Sequence, residues 1–170
     1  PDTYRIARPA SGQFDIDLIG DEVFRKMRAE FDQKTSISFE GLSDFRKKQV
    51  IIVASMIEKE ARLDRDMKLV SGIIWKRLES GWQLKIDATV SYGACLRQFE
   101  QTKKICDVSQ VGVGKEIRID GPYNSYTRYN LPEGPISNPG MTSINAALNP
   151  TQSPYWYYLS TRDTGEIIYS

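Results

Sequence analysis

The sequence predicts an α+β fold in which N-terminal helices pack on a small, mostly antiparallel sheet with long loops rich in Pro, Gly and Tyr. Apolar residues recur at helical spacing through the first half of the chain, and alternating and turn-rich segments follow in the second half. The chain has 170 residues, of which 40% are hydrophobic, and no internal repeat. This length and composition predict a single domain over residues 1–170 with a real core.

The charge balance and the missing histidines narrow the possible functions. Lys and Arg number 23 against 22 Asp and Glu, and a net charge of +1 argues against a dedicated nucleic-acid binder. The absence of His removes Ser-His and Cys-His nucleophile pairs and the commonest metal ligand. No cofactor or metal is therefore predicted, and carboxylates are the natural acid-base groups. No run approaches the roughly 20 apolar residues of a membrane span.

Two helices are predicted first. One covers about 17–31, and the other is capped by Ser43 or Asp44 and runs to about Arg62. The first helix is expected to pack through an apolar stripe, which consists of Leu18, Val23, Phe24, Met27 and Phe31.

The third helix starts at Asp64 or Asp66 and ends at Gly81. After it the pattern changes, and two stretches read as strands, "WQLKIDATVSYG" and "KEIRI". The stripe of the third helix is formed by Val70, Ile73, Ile74 and Leu78.

The remaining segments contain most of the predicted loops. "CLRQFEQTKKICDVSQVGVG" is predicted to be an irregular excursion, and "DGPYNSYTRYNLPEGPISNPG" a long loop. A short helix in "TSINAALNP" is expected to be capped by Thr142 or Ser143. The last stretch, "PYWYYLSTRDTGEIIYS", predicts a hairpin with "RDTG" as its turn.

Glu58 and Glu60 end the apolar run of the second helix. They lie two positions apart, so they project roughly 200° from each other and flank the apolar face on opposite sides. A close pair of carboxylates is thereby excluded. Either glutamate could be a solvated surface group. Alternatively, it could lie at the edge of a cleft, where apolar neighbours raise the pKa of its carboxyl. Periodicity does not choose between the two. The apolar face consists of Val50, Val53, Ala54, Ile57 and Ala61.

Two further groups could carry chemistry. The tyrosines of the long loop offer flat faces for sugars, and Asn124 offers a donor and an acceptor; the alternative is a rigid loop with packed tyrosines. Asp87 is either a second carboxylate or a loop cap. It is followed by Thr89, Ser91 and Tyr92.

Six stretches occur in one order and together resemble the YceG-like family of endolytic murein transglycosylases over nearly the whole chain. They are "PDTYRI", "ASMIEKEA", "LKIDATVSYG", "GPYNSYTRYNLPEGPISNPG", "SINAALNPTQSPYWYYL" and "GEIIYS".

The resemblance implies a bacterial cell-wall enzyme that cleaves nascent peptidoglycan strands between N-acetylmuramic acid and N-acetylglucosamine and leaves 1,6-anhydro ends. It implies a single-pass anchor in the cytoplasmic membrane, a catalytic domain facing the periplasm or cell exterior, and partners in the elongation or division machinery. The anchor, a LysM-like part and the C-terminal end of the domain are expected outside these 170 residues.

The resemblance also assigns roles to residues. The second glutamate of the Glu-Lys-Glu motif, Glu60, is the expected catalytic residue, and Glu58 becomes a supporting, structural one. An extracytoplasmic location favours a disulfide between Cys95 and Cys106. The residues expected to position the substrate are Ser55, Asp87, Thr89, Tyr92, Tyr123, Asn124, Tyr126 and Asn138.

Overall fold

A computed structural model describes residues 16–161, 164 and 166–170, with side chains from Gly20 onward. The chain divides into two compact units, and the boundary lies between Leu42 and Ser43. The described part is mostly helical with one two-stranded antiparallel sheet, which confirms the α+β prediction. That one catalytic domain spans 1–170 stays a prediction. Within the residues that the structure describes, no helix is both long and apolar enough to cross a membrane.

The first unit contains helix α1, Ile16–Thr35, which is longer than predicted. Its last residue, Thr35, donates a hydrogen bond from its hydroxyl to the Phe31 carbonyl at 2.8 Å. Phe24 and Met27 of the expected stripe are largely exposed, at 67% and 41%, so they take little part in a core. The side chain of Leu18 and the stretch "PDTYRI" lie outside the described residues.

Helix α2, Asp44–Glu60, forms the centre of the second unit. The Ser43 hydroxyl accepts a hydrogen bond from the Arg46 amide, so Ser43 is the cap, as one of the two alternatives predicted. The predicted apolar face is buried along its whole length. The helix ends two residues before the predicted end, because Ala61 takes an extended conformation.

Helix α3, Asp64–Glu79, packs against α2 and α6, Met141–Leu148. Three of the four residues of its predicted stripe, Val70, Ile73 and Ile74, are almost fully buried, whereas Leu78 is partly exposed. Gly81 follows the helix with a positive φ of 68°, as expected for a helix stop.

The prediction of a strand across "WQLKIDATVSYG" is wrong. Residues 82–86 belong to no helix or strand, and helix α4, Asp87–Thr102, begins where the strand should continue. Lys85 has a positive φ of 52°, which interrupts extended backbone. This segment is fixed by a loop residue: the Lys85 amide donates to the Ser125 carbonyl, and the Ile86 amide donates to the Ser125 hydroxyl. Half of the alternating pattern therefore belongs to an irregular segment and half to a helix.

The strand predicted at "KEIRI" is also wrong, because a short helix α5, Val113–Glu116, ends within it. A 3-10 turn, Val108–Gln110, precedes it. The excursion is less irregular than predicted, since α4 runs through its first part. Cys95 and Cys106 form a disulfide across it, which confirms that prediction.

The long loop and the hairpin agree with the sequence. No helix or strand occurs in the described stretch 121–140. The hairpin pairs β1, Tyr158–Ser160, with β2, Ile167–Tyr169, and aligns Tyr158 with Tyr169. Most of the predicted turn "RDTG" lies outside the described residues. Helix α6 begins at Met141 without a cap from Thr142 or Ser143, so that expectation is wrong.

Candidate active site

Glu60 is the last residue of α2. The buried face of the helix stops here, and the chain turns into extended backbone at Ala61. The Glu60 side chain is half-buried at the edge of the core. A carboxyl at this position meets apolar surface on one side and can be reached from the other.

The surroundings of Glu60 favour its protonated form. Burial raises the pKa of Glu60 from its ordinary 4.5 to about 7. A hydrogen bond with the Tyr158 hydroxyl lowers this pKa, and the negative charge of Asp87 raises it further. A pKa raised in this way makes the protonated form of Glu60 accessible close to neutral pH, which suits a general acid that later acts as a base.

Asp87 and Tyr126 join Glu60 in one cluster. Asp87 is the exposed first residue of α4, and the Tyr126 hydroxyl donates a hydrogen bond to its Oδ1 at 2.5 Å. Burial, this hydrogen bond and the charges of Asp87 and Glu60 all raise the pKa of Tyr126. The structure therefore places two of the predicted positioning residues at Glu60; their roles stay predictions.

Tyr158 and Arg77 also belong to this cluster, although the sequence did not predict them as site residues. Burial and the charge of Glu60 raise the pKa of Tyr158 well above its ordinary value. Arg77 is buried on α3, and its pKa is lowered by burial and raised by the nearby hydroxyls of Tyr158 and Tyr126. One signal was present: Arg77 falls on the apolar stripe of its helix, seven residues after Val70, where a charge needs a partner.

Glu58 faces away from this cluster. Its Oε2 accepts hydrogen bonds from the Gly140 amide at 3.0 Å and from the Ser143 hydroxyl at 2.5 Å. Gly140 precedes α6 and Ser143 lies in its first turn, so Glu58 ties the start of this helix to α2. The two glutamates have different partners, in keeping with their spacing, and the supporting role expected of Glu58 stays a prediction.

Three predicted positioning residues are buried and hold the scaffold. The Ser55 hydroxyl donates to the Ile52 carbonyl and accepts from the Ile136 amide. The Thr89 hydroxyl contacts the Ile86 carbonyl and the Ser125 hydroxyl. These polar atoms are already used within the protein, which favours an indirect role in shaping the site.

Asn124 belongs to the same group. Its side-chain amide donates to three carbonyls, those of Glu116, Ile117 and Ile119, and its oxygen accepts from the Tyr126 amide at 2.8 Å. Asn124 thus fixes the loop that carries Tyr126 to Asp87.

The other predicted residues lie in different surroundings. Tyr92 and Tyr123 pack together with ring centroids 4.8 Å apart, and Tyr123 lines a cavity of about 210 Å³ along α4. A larger cavity of about 550 Å³ lies under the Cys95–Cys106 excursion. Glu60 lines neither of them, and Asn138 is an exposed loop residue.

Known proteins are similar to this chain over most of its length. A family model described as the YceG-like family matches residues 1–170. A Bacillus subtilis protein named endolytic murein transglycosylase is 32% identical over 122 residues, which cover 72% of this chain and 31% of that protein. A Streptococcus pneumoniae protein of the same name is 26% identical over 172 residues, which cover all of this chain and 29% of that protein.

A solved structure is similar as well. The crystal structure of a YceG-like protein from Listeria monocytogenes matches 99% of this chain and 49% of its own, with a TM-score of 0.64 and 26% identity. The chain spans about a third or less of the length of the curated relatives it matches.

Proposed function

Because the chain belongs to the YceG-like family, we propose that it carries the catalytic centre of an endolytic peptidoglycan transglycosylase. The observation that supports this most directly is the half-buried Glu60, whose pKa is raised to about 7. The substrate is the glycan strand of peptidoglycan, and the bond cleaved joins N-acetylmuramic acid to N-acetylglucosamine.

A single carboxyl group can carry both proton transfers. Protonated Glu60 gives its proton to the glycosidic oxygen as the bond between that oxygen and the anomeric carbon breaks. The Glu60 carboxylate then accepts the proton of the 6-hydroxyl of the muramic acid, and the oxygen of this hydroxyl bonds to the anomeric carbon. No water is consumed, and intramolecular attack benefits from proximity.

The neighbours of Glu60 suit this sequence of steps. Asp87 places a negative charge beside Glu60, where it favours the protonated starting form and can stabilise positive charge on the sugar ring. Tyr158 supports the carboxylate that remains after the first proton transfer. Tyr126 holds Asp87 through its hydrogen bond.

Digestion of purified peptidoglycan tests the proposal. Mass spectrometry of the new ends should show anhydro sugars, which are lighter than reducing ends by one water. Glu60→Gln should abolish cleavage, whereas the matched control Glu58→Gln, two residues earlier, should retain it. Cleavage that survives in Glu60→Gln but is lost in Glu58→Gln would overturn the assignment.

A muramidase-type hydrolase is a second candidate, because Asp87 lies within electrostatic reach of Glu60. Hydrolases commonly use two carboxyl groups, one as acid and one as base or nucleophile. Reducing ends in the digest would favour this reaction. No cleavage by the unmutated protein, with glycan binding retained, would indicate a non-catalytic binding module.

The proposal includes a location. We place the site in the periplasm or at the cell exterior, tethered by a single membrane-spanning segment outside these residues and acting with the elongation or division machinery. The Cys95–Cys106 disulfide supports an oxidising compartment. Protease added to intact spheroplasts should digest this domain; full protection would contradict the location.

A further inference from the structure

We propose that Trp82, Trp156 and Tyr157 form an aromatic platform that binds a sugar ring of the glycan strand beside Glu60. The inference rests on the proposed function for the identity of the ligand. The three residues come from the segment after α3 and from the segment before β1.

The three rings form one partly exposed cluster. The rings of Trp82 and Trp156 have centroids 4.6 Å apart at an angle of 32°, and Trp82 lies 6.4 Å from Tyr157. Trp82 is 43% exposed and Tyr157 is 53% exposed. Aromatic side chains bury much apolar area when they pack in a core, so a cluster left at the surface marks a binding site.

Arg77 contacts all three residues of the platform. Its carbonyl accepts a hydrogen bond from the Trp82 amide at 2.8 Å, and its Nε and Nη2 donate to the Trp156 carbonyl at 2.9 and 2.5 Å. Its guanidinium lies 5.1 Å from the centroid of the Tyr157 ring. Arg77 is only 7% exposed, so it covers the inner face of Tyr157 and leaves the outer face to solvent.

Lys76 fixes the same cluster from a second side. Its Nζ lies 5.0 Å from the Trp156 ring and donates to the carbonyls of Ser153 and Tyr155 at 2.5 and 2.7 Å. Rings held in this way lose little conformational entropy when a ligand binds. The platform is therefore preorganised before the substrate arrives.

The platform adjoins the catalytic cluster. Tyr157 directly precedes Tyr158, which interacts with Glu60. Arg77 interacts electrostatically with Tyr157, Tyr158 and Tyr126. A polymer bound at Glu60 has sugar units on either side of the cleaved bond, and the platform would hold one of them. A pyranose fits because it presents a flat face of C–H groups to a ring, while its hydroxyls point outward to water.

Binding measured in a Glu60→Gln background tests this inference without cleavage. Titration with peptide-free glycan strands, followed by calorimetry, should give about tenfold weaker affinity for Trp82→Ala and for Tyr157→Ala. Trp82→Tyr keeps a flat ring and should retain most of the affinity, whereas Trp82→Leu should lose it. Phe99→Ala is the matched control, since Phe99 is 44% exposed on α4 and should leave the affinity unchanged.

The outcomes separate clearly. Unchanged affinity in Trp82→Ala and Tyr157→Ala, an equal loss in Phe99→Ala, or equal affinities of Trp82→Leu and Trp82→Tyr would each overturn the platform. Variants that keep glycan affinity but lose a protein partner would overturn it as well. Anhydro ends made by the unmutated protein test the proposed function separately, so either inference can fail alone.

Discussion

Glu60 owes its chemistry to neighbours from two other elements. Asp87 starts α4, Tyr158 lies on β1, and the carboxyl itself ends α2. The effects on the Glu60 pKa oppose one another: burial and Asp87 raise it, and Tyr158 lowers it. Each neighbour can be changed by a single substitution that preserves its shape, so the two smaller effects can be measured independently.

The first prediction concerns the pH dependence of cleavage. Activity that needs protonated Glu60 should fall as the pH rises through about 7. Asp87→Asn removes a negative charge, lowers the pKa of Glu60 and should move this alkaline limb to lower pH. Tyr158→Phe removes a hydrogen bond to the carboxylate and should move it to higher pH. A pH profile of the initial rate checks both; shifts in the same direction would contradict this account.

The second prediction concerns stability. Unfolded Glu60 has its ordinary pKa of 4.5, and the folded value is about 7, so between these values the folded state binds more protons. The free energy of unfolding should therefore fall as the pH rises through this window. Glutamine does not ionise, so Glu60→Gln should not show this fall in the free energy of unfolding. At pH 8 the variant should therefore unfold at a higher urea concentration than the unmutated protein. At pH 4 the two urea midpoints should agree, and a difference that does not vary with pH would argue against a buried acid.

At the scale of elements, α6 depends on a side chain from α2. Gly140 precedes α6 and offers no side chain, so Glu58 accepts the hydrogen bonds of its first turn. Helix α6 packs on both α2 and α3. The start of α6 could not be predicted from local sequence because its cap lies 82 residues away.

The third prediction follows from this contact. Glu58→Ala should lower the free energy of unfolding by about 1–2 kcal/mol, since two donors in the first turn of α6 lose their acceptor. Glu58→Gln keeps an acceptor oxygen and should lose less. Urea unfolding measures both; equal losses would show that the hydrogen bonds contribute little.

The fourth prediction concerns the close contact between Gly72 of α3 and the backbone of Thr151. A Cβ on Gly72 would lie 2.0 Å from the Thr151 carbonyl oxygen, and the Thr151 amide also donates to the Lys68 carbonyl. Gly72→Ala must move backbone and should cost about 2 kcal/mol or more. The control is Gly20→Ala on α1, where a Cβ meets nothing within 4 Å. That change should be neutral or stabilising, and an equal loss at both positions would refute the packing argument.

The wrong strand prediction at the start of the second half has a physical cause. Residues 82–92 alternate like a strand, yet Asp87 starts a helix and the irregular segment before it is hydrogen-bonded to Ser125. An alternating apolar pattern indicates which side chains are buried, but it does not indicate which residue the backbone is hydrogen-bonded to. The loop residue that completes the pairing lies 39 positions further along the chain, beyond the reach of local patterns.

At the scale of the whole molecule, the sequence predicted the α+β class, the buried faces of α2 and α3 and the separation of Glu58 from Glu60. Apolar periodicity carries that information directly. The sequence did not predict that Arg77 of α3 donates hydrogen bonds to the Trp156 carbonyl and interacts electrostatically with Tyr158. Such contacts depend on tertiary packing, and the only local sign was a charge on an apolar stripe.

The fifth prediction concerns the disulfide. Cys95 and Cys106 close a loop with a sequence separation of 11 residues. Replacing both by Ser should lower the free energy of unfolding by about 2–3 kcal/mol, because the unfolded chain regains freedom. Urea midpoints without reductant measure the loss. Midpoints that agree, or free thiols in a non-reducing mass measurement of the unmutated protein, would contradict a stabilising bond.

The position of the Glu-Lys-Glu motif at a helix end has one more consequence. The aligned peptide dipoles of a helix give its N-terminus a partial positive charge and its C-terminus a partial negative one. Glu58 contacts the N-terminal end of α6, whose partial positive charge stabilises an anion. Glu60 lies at the C-terminal end of α2, whose partial negative charge favours the protonated form of a carboxyl. Two chemically identical side chains of one motif thus lie at helix ends of opposite partial charge.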